Sequence, residues 1–240
     1  MKILSIDTSQ QALGIALVED GRPVASYVSL VNKNHSIRLM PGIECLMKEH
    51  GWSAKDLTRV VVAEGPGSYT GIRIGVTTAK TLAWTLGIEL VGVSSLAAIA
   101  VNSQFSGLIV PLCDARRNNV YTGAYQWQNG ELVSLLPDKH ISLSAWLEEL
   151  AEQDLPVQFI GVDVPVFEDT IHETFKHKQT EAHVLTNQLN PLGLAYLGSL
   201  KTPEADVENF TPKYLKRVEA EENWLKNHPD VTKQEYVKRI

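Results

Sequence analysis

The stretch that most constrains this chain is Gly65-Pro66-Gly67-Ser68-Tyr69-Thr70-Gly71-Ile72-Arg73-Ile74-Gly75, running on through Val76 to Gly87. It follows a β-rich run, Val60-Val61-Val62-Ala63, so a strand must turn tightly and pass straight into a helix. Ile72, Val76, Ala79, Leu82, Ala83 and Leu86 recur at three- and four-residue steps and give the helix one buried face. Gly71, Gly75, Ala79, Ala83 and Gly87 fall every fourth residue, a ridge nearly bare of side chain that another element can approach closely. Glycine inside a helix costs about 0.5 to 1 kcal/mol relative to alanine, so close approach at this ridge has to compensate. Two readings follow. Either the helix is buried on all sides in its own domain, or one face waits for another subunit.

The chain has 240 residues, 44% hydrophobic and 21% charged, which is enough for two modest cores. Its 22 basic and 28 acidic residues leave a net charge of −6, which opposes unaided binding to nucleic acid. Cys45 and Cys113 have apolar neighbours and form no Cys-x-x-Cys pair, so both are expected as buried free thiols of a reducing compartment. No basic-then-apolar leader and no apolar run of membrane-spanning length is present, and a cytoplasmic protein without membrane contact is expected.

In chain order, Ile3–Ile6 reads as a strand ending at Asp7-Thr8-Ser9, followed by strands Leu13–Val18 and Val24–Leu30 joined at Asp20-Gly21. A helix starts at Asn34-His35-Ser36 with Ile37, Met40, Ile43, Leu46 and Met47 on one stripe; Pro41 predicts a kink or a late start. After the long helix come a strand, Leu90–Val93, and a helix opened by Ser94 or Ser95. The order then begins again. Leu108–Cys113 leads to Asp114, a polar turn, a strand Val120–Tyr125, an Asn129-Gly130 turn and a strand Leu132–Leu136, an internal repeat of pattern rather than of identity. A helix Ser144–Gln153, a strand Val157–Val162, a helix Pro165–Phe175 and a helix Asn190–Leu200 close this half. From Lys201 the composition turns polar, and residues after Pro229 read as a mobile tail.

A strand followed by an aspartate turn, once in each half, is how a two-lobed nucleotide-binding protein grips phosphate, with backbone N–H groups on the anion and the carboxylate on a metal ion or its water. Asp7, Thr8, Ser9 and Asp114 are therefore the candidate nucleotide site. The first turn, however, has no glycine before Gly14, and the second, Ala115-Arg116-Arg117-Asn118-Asn119, is bulky where a phosphate needs room. Capping of the turns by the two aspartates explains the residues equally well, and a vestigial site is the expectation. The glycine spacing at 65, 67 and 71 fits neither a dinucleotide fingerprint nor a P-loop. No histidine pair has helical metal-ligand spacing, and no serine sits in a nucleophile elbow, so neither a metal site nor a hydrolase is supported.

Together, Ile6-Asp7-Thr8-Ser9, the Gly65–Gly75 string, Asp114-Ala115-Arg116 with Val120-Tyr121, and Pro212, Tyr214, Arg217 and Glu219-Ala220-Glu221 resemble the bacterial TsaB (YeaZ) family over nearly the whole chain. The resemblance implies an α/β fold of the actin-like ATPase (ribonuclease H-like) type, two lobes related by internal duplication, with mixed five-stranded sheets and helices. The lobes would be residues 1–105, rejoined by about 205–228, and residues 106–204, with 229–240 a tail. It also implies a part in placing threonylcarbamoyl on the adenosine next to the anticodon of tRNA. That part is non-catalytic: the related subunit TsaD carries the metal and the transfer chemistry, TsaE is an ATPase that joins them, and a family member alone pairs with itself. No cofactor would be tightly bound, ATP or ADP entering at most in the complex, and tRNA would be met only through the complex. On this reading the long helix and the helix after His35 make the subunit interface. Ile72, Ile74, Ala79 and Ala83 lie near its centre, with His35, Ile37, Met40, Gly71, Gly75, Thr78 and Leu82 around them. An ATP-dependent phosphotransferase and a metal-dependent glycoprotein peptidase are the competing functions.

Overall fold

A computed structural model describes residues 1–31, 34–175, 179–181 and 186–216. The first half opens with β1 (Lys2–Asp7), β2 (Leu13–Glu19) and β3 (Arg22–Ser29), an antiparallel meander. Asp20 and Gly21 both take positive φ, 48° and 77°, which matches the twist of a tight hairpin. Then come α1 (His35–Glu49), β4 (Arg59–Gly65), α2 (Tyr69–Leu86), β5 (Glu89–Ser94) and α3 (Ser95–Ala100). The sheet runs β3-β2-β1-β4-β5, with β4 and β5 parallel to β1, so it is mixed.

The second half repeats this. β6 (Leu108–Asp114), β7 (Asn119–Gln128) and β8 (Glu131–Ser142) form the meander. They are followed by α4 (Leu143–Ala151), β9 (Val157–Ile160), a 3-10 turn Val164–Phe167 running into α5 (Glu168–Phe175), β10 (Gln179–Glu181) and α6 (Pro191–Leu200). Read from the β8 edge, this sheet runs β8-β7-β6-β9-β10. Each element of the first sheet thus has its counterpart in the second, which is the duplicated α/β architecture that the repeated pattern predicts.

One outer face of each sheet is covered by its own helices. Val60 and Val62 of β4 meet Ile72, Val76, Ala79 and Ala83 of α2 and Leu39, Ile43 and Leu46 of α1 in one core. Val110, Val120 and Phe159 meet Trp146 and Leu147 of α4 in the other. The facing surfaces are covered by exchange. Leu96, Ile99 and Ala100 of α3 leave the first half to pack on Ile109, Tyr125 and Ile160 of the second sheet. Leu194 and Ala195 of α6 cross back to Ile3, Val61 and Val91 of the first.

That exchange corrects the expected boundary at residue 204, because α6 does not close the second half. Gly198 lets α6 approach: a Cβ there would lie 2.3 Å from a methyl of Val61. The buried Arg59 guanidinium then caps the helix C-terminus, its Nη1 donating to the carbonyls of Gly198, Ser199 and Lys201. The following segment stays on the first lobe, with Glu204 N–H donating to Leu90 O, Lys213 N–H to Glu64 O, and Phe210 buried in the first core. Residues 217–228 and the expected tail at 229–240 lie outside the described residues.

Further expectations change on α1 and α2. α1 runs unbroken through Pro41 from His35, and its buried stripe is Leu39, Ile43, Leu46 and Met47. Ile37 and Met40, expected on that stripe, are 67% and 47% exposed, since Leu39 rather than its neighbours points into the sheet. Cys45, one position from the stripe, is exposed and only Cys113 is buried. On α2 the ridge of small residues is turned inward: Gly71, Ile72, Gly75, Val76, Ala79 and Ala83 are all buried against their own lobe. The ridge exists for close packing, as the spacing indicates, but what lies against it is its own lobe: Thr8 just after β1, Ile6 of β1 and Val62 of β4.

Ala79→Arg should therefore abolish the cooperative unfolding transition, because an unpaired guanidinium in this core costs several kcal/mol. Trp84→Arg on the exposed side of α2 should change stability by no more than about 0.5 kcal/mol. Urea unfolding of both variants checks this, and equal stabilities would contradict the inward ridge.

Candidate nucleotide cleft and docking face

The first aspartate turn is held down by the glycine loop. Ser68 N–H donates to Ser9 O at 2.7 Å, and a Cβ on Gly67 would lie 2.2 Å from the same carbonyl oxygen. Ser68 caps α2 by accepting from Gly71 N at 3.3 Å. Thr8 Oγ1 donates to Gly71 O at 2.7 Å; a Cβ on Gly71 would stand 2.1 Å from Thr8 O, and one on Gly75 2.4 Å from Thr8 Oγ1. Bare backbone at 67, 71 and 75 thus lets the turn and the helix start interlock with no room between them.

Asp7 is 4% exposed and spends its Oδ1 on its own turn, accepting from Ser9 N at 2.9 Å and Ser9 Oγ at 2.7 Å. Burial pushes its pKa above the ordinary carboxylate value; the two Ser9 bonds and the nearby His35 offset that only in part. His35 Nε2 lies 2.9 Å from Gln10 O, which fixes the outer part of the turn. Gln10 reaches across to Cys113 Sγ at 3.5 Å. Burial and the carboxylates of Asp163, Asp7 and Asp138 drive the Cys113 thiol upward, so it is inert.

The second turn is closed by its own residues. Asp114 Oδ1 accepts from Arg116 N at 2.7 Å, and the Arg116 guanidinium sits 3.2 Å from Oδ2. Arg116, Arg117 and Asn118 all take left-handed backbone, φ 69°, 55° and 56°. Asp114 N–H itself donates to Asp163 Oδ2 at 2.8 Å. Both aspartates therefore act as turn caps, and Ser9 N–H and Arg116 N–H, donors that a phosphate needs, are already used. Among the described residues no group of three or more His, Cys, Asp or Glu is placed to hold a metal ion.

The expected interface residues divide. Ile37 and Met40 are exposed, His35, Ile74, Thr78 and Leu82 are half-buried, and Gly71, Ile72, Gly75, Ala79 and Ala83 are buried. The outward side of α2 is instead Arg73, Thr77, Thr81 and Trp84, with Trp84 70% exposed. At its N-terminus Arg73 stacks 4.2 Å from the Tyr69 ring centre, and its Nε donates to Tyr214 OH at 2.8 Å. Trp84 and Tyr69 lie outside the expected interface set, although Thr77, Thr81 and Trp84 share the helical side left over by the apolar face and the ridge.

A family model described as TsaD, tRNA N6-adenosine threonylcarbamoyltransferase, matches residues 29–224. The tRNA threonylcarbamoyladenosine biosynthesis protein TsaB of Bacillus subtilis (strain 168) is 45% identical over 228 residues, 95% of this chain and 99% of that protein. The chain belongs to the TsaB family. A crystal structure from Pseudomonas aeruginosa, of an uncharacterized protein with similarity to peptidase YEAZ, superposes with a TM-score of 0.76 at 24% identity, covering 90% of this chain and 99% of that one. The ROK hexokinase of Thermus thermophilus superposes with a TM-score of 0.51 at 12% identity, over 83% and 99%. At those identities the two structures speak to the fold, which is the actin-like ATPase fold shared by TsaB relatives and sugar kinases.

The raised pKa of Asp7 has a sign that can be tested. A carboxyl that holds its proton more tightly when folded contributes most below its unfolded value, and that contribution is lost as pH rises through the folded one. Asp7→Asn keeps the Ser9 bonds without the buried charge. Its stability relative to the parent should rise from about pH 4 to about pH 7 in urea titrations. A relative stability that falls over that range would mark the carboxylate as favoured in its charged form, as a cation ligand would be.

Proposed function

We propose that the chain is a non-catalytic subunit of tRNA threonylcarbamoyladenosine synthesis in the cytoplasm, pairing with the catalytic subunit TsaD, bringing in the ATPase TsaE, and pairing with itself when alone. The observation that carries this reading is the 45% identity to TsaB along 99% of that protein's length. The geometry supports it: Asp7 and Asp114 are committed to their own turns, and Thr8 fills the space under the start of α2. A net charge of −6 favours meeting tRNA through the complex rather than alone. Among the described residues no helix is long and apolar enough to cross a membrane.

The docking face follows from the side of α1 and α2 left uncovered. Ile37 and Met40 of α1 and Trp84 of α2 supply exposed apolar surface, with half-buried His35, Ile74, Thr78 and Leu82 between the core and the surface. Exposed aromatic anchors are the residues that dominate association energetics. Burial of either surface contributes about 25 cal/mol per Å² of apolar area, less the cost of association.

Reconstituting the modification from purified TsaD, TsaE and tRNA should give product only when this chain is added. Trp84→Arg combined with Ile37→Glu should leave the chain folded and remove its co-elution with TsaD in size-exclusion chromatography. Product formation without the chain, or tight binding of ATP and magnesium to the chain alone in calorimetry, would contradict the non-catalytic reading. An unchanged complex peak would move the docking face elsewhere.

A further inference from the structure

β5 ends at Ser94, which caps α3: its Oγ accepts from Leu96 N at 3.1 Å and Ala97 N at 3.3 Å. The same hydroxyl donates to Asp138 Oδ2 on β8, and the Tyr125 hydroxyl on β7 donates to Asp138 Oδ1. Ser94 is a residue of the first sheet, whereas Tyr125 and Asp138 belong to the second. One carboxylate thus ties the two lobes at the point where α3 crosses between them.

The backbone is shaped to bring that carboxylate there. Along the β7–β8 ladder Thr122 pairs with Lys139, but Ala124 pairs with Leu136 and Tyr125 with Ser134, so the register slips around Pro137 and Asp138. Such a bulge re-aims a side chain. Gly123, opposite the slip, makes the room: a Cβ there would lie 2.7 Å from Asp138 Oδ1. Tyr125 is 4% exposed and Asp138 half-buried, so the bond to the carboxylate is partly shielded from water. Bonds to an ionised acceptor are the strong ones, and a buried network is costly when only half satisfied. Other hydrogen bonds cross the boundary beyond the end of α3, where Trp127 Nε1 donates to Ser103 O at 2.6 Å and Ser103 Oγ donates to Gln158 Oε1; elsewhere Gln10 reaches the poor acceptor Cys113 Sγ at 3.5 Å, and Tyr196 OH reaches Gly130 O at 3.5 Å.

We propose that Asp138 is an inter-lobe latch which, with Ser94 and Tyr125, holds the two sheets at one angle, so that the chain behaves as a rigid body rather than opening and closing about a ligand. Any rotation of the lobes about the crossing of α3 and α6 has to slide the N-terminus of α3 over β8, and the latch sits across that path. The inference stands on the lobe geometry and not on the partner assigned above.

Spin labels test it. Cys45 is exposed on α1 and Cys113 is buried, so Glu152→Cys at the exposed end of α4 completes a pair that spans the lobes. Labelled chain is diluted with excess unlabelled chain, so that only distances within one molecule are read. The latched protein should give one narrow distance distribution, and Asp138→Ala, at a temperature where circular dichroism shows it folded, one roughly twofold broader or shifted. Asp138→Asn, whose Oδ1 can still accept from Ser94 while its Nδ2 donates to the Tyr125 hydroxyl oxygen, should remain narrow. Tyr125→Phe, which keeps the ring and loses one bond, should broaden the distribution as well and is read if Asp138→Ala does not fold. A folded Asp138→Ala or Tyr125→Phe protein with an unchanged distribution overturns the proposal, as does a broad distribution before any change at Asp138.

Discussion

The contact on which most of this structure depends is the seating of Thr8 against Gly71 and Gly75. Two absent methyl groups let α2 descend onto the end of β1, close enough that Thr8 Oγ1 donates to Gly71 O at 2.7 Å. That approach closes the first aspartate turn, because the turn's backbone is clamped between β1 and the start of the helix. It also sets the rotation of α2. With positions 71, 75, 79 and 83 facing inward, Arg73, Thr77, Thr81 and Trp84 have to face out. The same packing choice therefore fixes both the first aspartate turn and the outward side of α2.

The second lobe reaches a similar end by different chemistry. There the turn is held by the exposed Arg116–Asp114 ion pair and takes three consecutive left-handed residues. Left-handed backbone is unfavourable for residues with a Cβ, and the Leu143 N–H bond to Asn118 O, with the Asn119 side chain on the carbonyls of Arg116 and Arg117, holds it in place. In this duplicated fold the two aspartate turns are thus closed in two unrelated ways. The exchange of α3 and α6 between the sheets completes it, because each lobe is then finished by a helix from the other half.

Much of the fold was legible in the sequence, for identifiable reasons. Short apolar runs such as Ile3–Ile6 and Leu13–Val18, followed by Asp-turn and Gly-turn signals at matching offsets in both halves, made the duplicated meander visible. β10 was not, since Gln179-Thr180-Glu181 has no apolar alternation to announce a strand. Periodicity also says which residues of a helix are buried but not which sheet buries them, so α6 was placed with the half that precedes it in the chain. On α1, apolar residues at 37, 39, 40, 43, 46 and 47 allow two overlapping stripes, and only packing selects the one through Leu39. The small-residue ridge of α2 announced a close approach without naming the approaching element. Those positions met Thr8, Ile6 and Val62, and the uncovered side of α2 is the one at Arg73, Thr77, Thr81 and Trp84.

A double-mutant cycle between Thr8 and Gly75 tests this account most directly. Next to the Thr8 hydroxyl oxygen, the nearest atoms to a Cβ at Gly75 are methyls of Val62 and Ile6 at 3.6 and 3.7 Å, ordinary contact distances. Gly75→Ala should therefore destabilise the parent, whereas in a Thr8→Ala background the same change should be neutral or gain up to about 1 kcal/mol from helix propensity. Unfolding free energies that simply add across the cycle would mean that Gly75 does not serve Thr8, and that α2 is seated by something else.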